Sequence, residues 1–272
     1  MSTSELTLSS DRKRWLAAQR RDKMLVRIAK AAILLCFLVF WEFAAQFGLI
    51  DPFITSSPSR FSQSICNLIA KGELMEHILV TTLEAVAGFI CGTVLGTLIA
   101  IALWSSDFLS RVMEPYLVIL NALPKIALGP IFIVWIGAGP AAIVVIAVTV
   151  SIVVTVLEVL NGFRATDPEM IRLAQTFGAD KRQLLTKVVL PANIPTIISS
   201  LKVSVGMSWV GVIVGEFLIS RAGLGYLIVY GSQVFQLDLV MASVVILSVI
   251  ATLMFFCIQC IERLLTAKRG SR

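Results

Sequence analysis

Long apolar runs separated by short polar breaks dominate the chain, and their lengths predict helices that cross a bilayer. A spanning helix takes about 20 mostly apolar residues. Runs of that length fall at about Ala31–Ile50, Ile78–Trp104, Tyr116–Ile136, Ala141–Leu160, Ile194–Ile219 and Leu239–Ile261. The expected fold is an all-α membrane protein of six transmembrane helices, which puts both ends of the chain on one side. Pro124 interrupts the third run. Between the first two runs, Asp51–His77 carries Pro52, Pro58 and serine clusters, and reads as a loop with a short amphipathic helix over Pro58–Lys71. Two stripes of small residues, Gly88, Gly92 and Gly96 in the second run and Gly211 and Gly215 in the fifth, let helix backbones approach closely. They predict a packed bundle, within the chain or across a dimer.

Composition agrees with a lipid setting. Of 272 residues, 57% are hydrophobic and 15% charged, against about 25% charged in soluble domains. The net charge of +6 could suggest nucleic acid until the charges are located. Eight of the 23 Lys and Arg residues precede the first apolar run, and eighteen in all fall on one face of the six-span arrangement. The positive-inside rule then places both termini in the cytoplasm, and no nucleic-acid partner is expected. The division is a basic cytoplasmic tail over 1–30, a first span and external loop over 31–77, a core over 78–263, and a C-terminal tail over 264–272.

Catalytic chemistry has little to build on. His77 is the only histidine, no P-loop occurs, and Cys257-x-x-Cys260 lies within an apolar run, where Cys behaves as a small hydrophobe. No nucleophile–base set, metal site or cofactor site is expected. A membrane-embedded enzyme therefore lacks its residues, while an ion-driven secondary transporter stays as the less favoured alternative, since the two halves show no convincing internal repeat of the kind such folds carry.

The longest cytoplasmic connection is the most informative segment. Asp167-Pro168-Glu169 opens a helix with an N-cap, a proline at the first position and an acid in the first turn. Met170, Leu173, Ala174 and Phe177 recur as one apolar face, and Gly178 ends the helix. Asp180 with Gln183 forms a capping-box pattern opening a second helix, which Leu190-Pro191 is expected to stop, with the fifth span restarting near Pro195. Ala174 and Gly178 give the hairpin a notched face suited to another protein.

This segment resembles the EAA motif of ABC importer permeases, in which EAA is followed by three residues, Gly, nine residues and I-x-L-P. Ala174, Gly178, Leu190 and Pro191 match, Val188 stands for the isoleucine, and Arg172-Leu173 stands for Glu-Ala. ALPKIALGPIFIVWIGAGP (Ala122–Pro140) and GEFLISRAGLGYLI (Gly215–Ile228) are similar to stretches of the nitrate/sulfonate/taurine branch. The resemblance covers roughly Thr81 to Arg263. It implies a type I importer permease with a methionine-importer-like core and a coupling segment over 164–191. The implied partners are ABC ATPase subunits, an extracellular or periplasmic substrate-binding protein and a second permease copy in a homodimer. Met170, Arg172, Leu173, Ala174, Phe177, Gly178, Ala179, Leu190 and Pro191 would meet the ATPase, so the chain itself would be no enzyme. The branch favours a nitrate-, sulfonate- or taurine-like anion as solute, with pyrimidine or riboflavin-like vitamin precursors as the alternative.

Within the fifth run, Lys202, Trp209 and Glu216 are seven apart and fall within about 40° of one helical face. Ionisable residues inside a membrane are functional candidates, so these three are expected on the translocation path, unless Lys202 snorkels to the interface. Glu42, Glu84 and Glu158 are weaker candidates of the same kind.

Overall fold

In the computed structural model, residues 10–267 are described, and all regular structure among them is helical. The helices are α1 (Ser10–Gln46), α2 (Pro52–Thr55), α3 (Pro58–Lys71), α4 (Leu74–Ser105), α5 (Asp107–Ala122), α6 (Gly129–Ile136), α7 (Pro140–Arg164), α8 (Pro168–Thr176), α9 (Lys181–Leu184), α10 (Leu190–Ile219), α11 (Leu224–Gln233) and α12 (Leu237–Ala267). Five stretches are long and apolar enough to span a bilayer, and the bent pair α5–α6 brings the number to six. Two compact units divide at residues 63 and 64.

In the first unit, Asp51 caps α2 by accepting from the Phe53 N–H at 2.8 Å. The start of α3 is held by Glu42, whose carboxylate accepts from the Ser59 N–H (2.9 Å) and the Ser59 hydroxyl (2.8 Å). Glu42 thus satisfies one of the backbone donors that the first turn of a helix leaves orphaned. The amphipathic helix predicted over Pro58–Lys71 forms over those residues.

The second unit is built around α7. Gly88, Gly92 and Gly96 of α4 lie on Ala147, Ser151 and Thr155 of α7, one pair per turn, so the two helices run parallel. A Cβ on Gly88 would sit 2.7 Å from Ala147 Cβ, and one on Gly96 2.8 Å from Thr155 Cβ. On the other side, α10 runs antiparallel, with Gly215 on Ile143, Gly211 on Ala147, the Ser204 hydroxyl 2.7 Å from that of Thr155, and Thr196 on Gly162. The small-residue stripes therefore serve packing within the chain. Apolar association supplies little drive inside lipid, and this close backbone approach takes its place.

Two predicted spans differ in form. The third, expected as one helix over Tyr116–Ile136, is broken between α5 and a 3₁₀ turn (Lys125–Leu128) that leads into α6, with a bend of 88°. Leu123 is extended (φ −65°, ψ 135°) because the ring of Pro124 excludes the helical conformation from the residue before it. The fifth span was expected to restart after Leu190-Pro191, but the helix runs through without a stop. A single π turn, Leu185–Val189, joins α9 to α10, with the Leu190 N–H bonded to the Leu185 carbonyl. The missing N–H of Pro191 is absorbed by that five-residue step. The sequence pattern also missed α11, ten residues that follow the fifth span.

Candidate functional site

The hairpin between α7 and α10 has the local structure its sequence predicts. Asp167 Oδ1 accepts from the Glu169 N–H at 2.8 Å and opens α8. At the other end, the Gly178 N–H bonds to the Gln175 carbonyl (2.9 Å) and the Ala179 N–H to the Ala174 carbonyl (3.1 Å). This is a Schellman cap, and Gly178 takes φ +80°, a conformation costing other L-residues about 1–2 kcal/mol. The capping box also forms: the Gln183 N–H donates to Asp180 Oδ1 (2.6 Å) and the Asp180 N–H to Gln183 Oε1 (3.0 Å).

The two arms are used differently. Leu184 and Val189 are buried, the latter in a core with Phe163, Val159 and Leu103. By contrast, Met170 (54% exposed), Leu173 (60%) and Phe177 (83%) form an uncovered apolar ridge along α8. Arg172 is exposed beside it, while Ala174 and Ala179 are half-buried inside the turn. Leu190 and Pro191 lie in the continuous helix at the start of α10, away from the ridge in the chain. Nothing lies within 4 Å of a Cβ built on Gly178, so its requirement for glycine is conformational.

Polar straps hold the hairpin against the neighbouring helices. The Arg164 guanidinium donates to Ser110 Oγ at 2.8 Å and pairs with Glu114 at 3.3 Å. Lys181 reaches Asp107 at 3.6 Å and the Ser105 carbonyl at 3.4 Å. A cleft of about 260 Å³ opens between Trp104, Arg164, Gln175 and Lys181. At the base, the Asn193 side-chain amide donates to Thr166 Oγ1 (2.6 Å) and to the Val189 carbonyl (2.9 Å).

Lys202, Trp209 and Glu216 do follow one another along α10, but their surroundings differ. The Lys202 ammonium is paired with Glu262 of α12 at 2.5 Å. Trp209 is buried in a core with Ala85, Ile143, Val205 and Val212. Glu216, 1% exposed, accepts from the Thr81 hydroxyl (2.6 Å) and from the Gly225 N–H (2.5 Å). Thr81 Oγ1 in turn accepts from the Leu224 N–H at 2.7 Å, and His77 Nδ1 from the Gly223 N–H at 2.9 Å. A Cβ on Gly225 would stand 2.6 Å from Glu216 Oε2, which explains the glycine beside that carboxylate. Sequence reasoning named Glu216 but not these partners, and the paired Glu262 was missed altogether. The only hint was the Gly-Leu-Gly run shortly after the glutamate.

The described residues thus form a multi-span helical bundle in which the hairpin between α7 and α10 displays a capped helix with an exposed apolar face. Residues 92–270 match the family described as binding-protein-dependent transport system inner membrane component, and the chain belongs to that family. It is 33% identical over 238 residues to a probable ABC transporter permease protein of Haemophilus influenzae, covering 87% of this chain and 96% of that one. A relative bearing the name aliphatic sulfonates transport permease protein SsuC, from Bacillus subtilis, is 27% identical (86% and 85% covered). The riboflavin transport system permease protein RibX of Chloroflexus aurantiacus is also 27% identical (88% and 89%). Among solved structures, the inward-facing MetNI methionine ABC transporter superposes with a TM-score of 0.62 at 19% identity, covering 70% of this chain and 94% of that one. That likeness concerns the fold, which is a type I importer permease fold. The protein is thus a multi-pass ABC permease of the inner membrane.

Proposed function

We propose that two copies of this chain form the pore of an ATP-driven importer, with ATPase subunits docked on the α8 hairpin and a binding protein delivering solute from the opposite side. ATP hydrolysis belongs to the partner, and this chain converts the partner's motion into access for the solute. Such a switch needs each ligand to favour one of the two states. The observation that carries this reading is the Met170–Leu173–Phe177 ridge, since an amphipathic helix with an uncovered apolar face suits a groove in a partner. Phe177→Asp removes the most exposed anchor. Its expected effect is a loss of about 30-fold or more in affinity for the ATPase, the scale of a hot-spot residue of about 2 kcal/mol. Copurification of the tagged permease with its ATPase checks this, and unchanged yield would overturn the docking role.

The eighteen basic residues on one face orient the hairpin and both termini toward the cytoplasm. Reporter fusions at Ser4 and Arg272 are both expected to read inside.

The solute is a small anion of the sulfonate class, a reading supported by the branch-like segments and the sulfonate-named relative. Of the three residues expected on the path, Lys202 contributes when α10 moves against α12 and the Glu262 pair opens, whereas Trp209 and Glu216 are buried within the chain. In proteoliposomes with binding protein and ATP, taurine or another alkanesulfonate is expected to be taken up and riboflavin not. Lys202→Met is expected to lower that uptake several-fold, and Lys202→Arg to retain part of it. Preferential riboflavin uptake would replace the anion with a vitamin precursor.

A further inference from the structure

The packing of α10 on α7 does not end where α7 ends. The pairs Ile143–Gly215, Ala147–Gly211, Thr155–Ser204 and Gly162–Thr196 advance in step, and Thr166–Asn193 is the next step of the same register. Thr166 already lies beyond the last helical residue of α7, Arg164. The residues between this pair make up the hairpin. Both partners are 6% exposed, and the amide uses its two donors: one crosses the hairpin base to Thr166 Oγ1, and the other bonds back to the Val189 carbonyl four residues earlier on its own strand. That carbonyl belongs to the π turn that carries the helix past Pro191. A Cβ on Gly162 would come within 3.2 Å of Asn193 Oδ1 and 2.6 Å of Thr196 Cγ2, so glycine there lets the amide seat.

We infer that Asn193 is a positioning residue, a buried clasp that closes the base of the hairpin and makes α8 move as one body with α7 and α10. This inference rests on the docking of the ATPase proposed above and adds how the motion leaves the hairpin. Without the clasp, α8 still presents its ridge, but a push on it is dissipated at the Ala165–Asp167 entry and in the π turn, where a five-residue step leaves the helix less tightly wound. With the side-chain bond across the base gone, the two strands part rather than stay in register.

The test uses the full-length permease in complex with its ATPase in lipid nanodiscs, comparing wild type with Asn193→Leu, Thr166→Val and Thr166→Ser. Deuterium uptake of the Ile197–Ile219 stretch is measured without nucleotide and with ATP plus vanadate, alongside the ATP hydrolysis rate. In wild type the trapped state is expected to change uptake in that stretch. In Asn193→Leu and Thr166→Val at least half of that change is expected to be lost, with hydrolysis within twofold of wild type. Thr166→Ser, which keeps the hydroxyl, is expected to respond as wild type does. A full nucleotide response in Asn193→Leu and Thr166→Val would overturn the clasp, and so would loss of the ATPase from both, which would make the pair part of the docking surface. If Asn193→Leu fails to insert, Thr166→Val, which keeps the shape of the side chain, decides between the same outcomes. A wild-type complex with no nucleotide-dependent change in α10 is a separate failure, because it would overturn the coupling reading itself.

Discussion

Gly211→Val is expected to prevent assembly of the bundle, whereas Gly206→Ala on the same helix leaves it intact or firmer. A Cβ on Gly211 meets the backbone of Ala147, with the Ala147 nitrogen at 3.1 Å and its Cβ at 3.2 Å, and the Ala147 Cα closer still. The obstacle is main chain in the middle of α7, not the end of a flexible side chain, so it cannot turn aside. Overpacking a core costs about 1–3 kcal/mol even where side chains can rearrange. Here relief requires α10 to move away from α7, which also separates Thr155 from Ser204 and Gly215 from Ile143. Gly206 has nothing within 4 Å of a Cβ and lies inside α10, where alanine is favoured over glycine by about 1 kcal/mol. Size-exclusion profiles and the temperature at which half the detergent-solubilised protein aggregates distinguish the two. Equal behaviour of Gly211→Val and Gly206→Ala would mean that α7 and α10 do not meet as described.

Legibility in the sequence followed the range of the forces involved. The hairpin could be read residue by residue because its caps are local: Asp167, Gly178, Asp180 and Gln183 act on backbone groups within five positions. Span positions were readable from the lengths of apolar runs. The behaviour of prolines was not, because a proline can stop a helix, kink it or be carried through. Pro124 broke its span and Pro191 did not, and the difference lies in a π turn with no signature of its own. Polar residues inside spans were visible as candidates, but their partners lie far along the chain. Glu216 meets a threonine 135 positions away, and Asn193 meets one 27 positions away. One helical face brought Lys202, Trp209 and Glu216 together on paper, yet Lys202 pairs with α12, Trp209 packs in a core that α4, α7 and α12 share, and Glu216 bonds to Thr81 of α4. Glycine stripes announced close contact and left its partner open, since the same spacing serves a fold or a dimer.

Glu216→Gln, the mildest change available there, is expected to loosen the α11 end of the bundle, though less than Glu216→Ala does. The carboxylate accepts with both oxygens, from the Thr81 hydroxyl at Oε1 and from the Gly225 N–H at Oε2. A glutamine has one acceptor oxygen, so its NH₂ must face one of these donors. The two donors differ in how they can adapt. The Gly225 N–H is fixed by the start of α11 and takes the glutamine oxygen, whereas the Thr81 hydroxyl, which already accepts from the Leu224 N–H, must turn its proton away and loses its bond to residue 216. An orphaned donor costs about 1–3 kcal/mol in a protein interior, and in the hydrocarbon region no water can repair it. Alanine orphans both donors and opens a cavity, so it is the larger loss. Thr81→Val removes one donor, so the loss on adding Glu216→Gln should be smaller in that background than in wild type. Faster deuterium uptake over Leu224–Gln233 and a lower aggregation temperature are the expected readings for Glu216→Gln. A variant as stable as wild type, with unchanged uptake in α11, would show that the carboxylate does not hold this loop and would return Glu216 to the solute path alone.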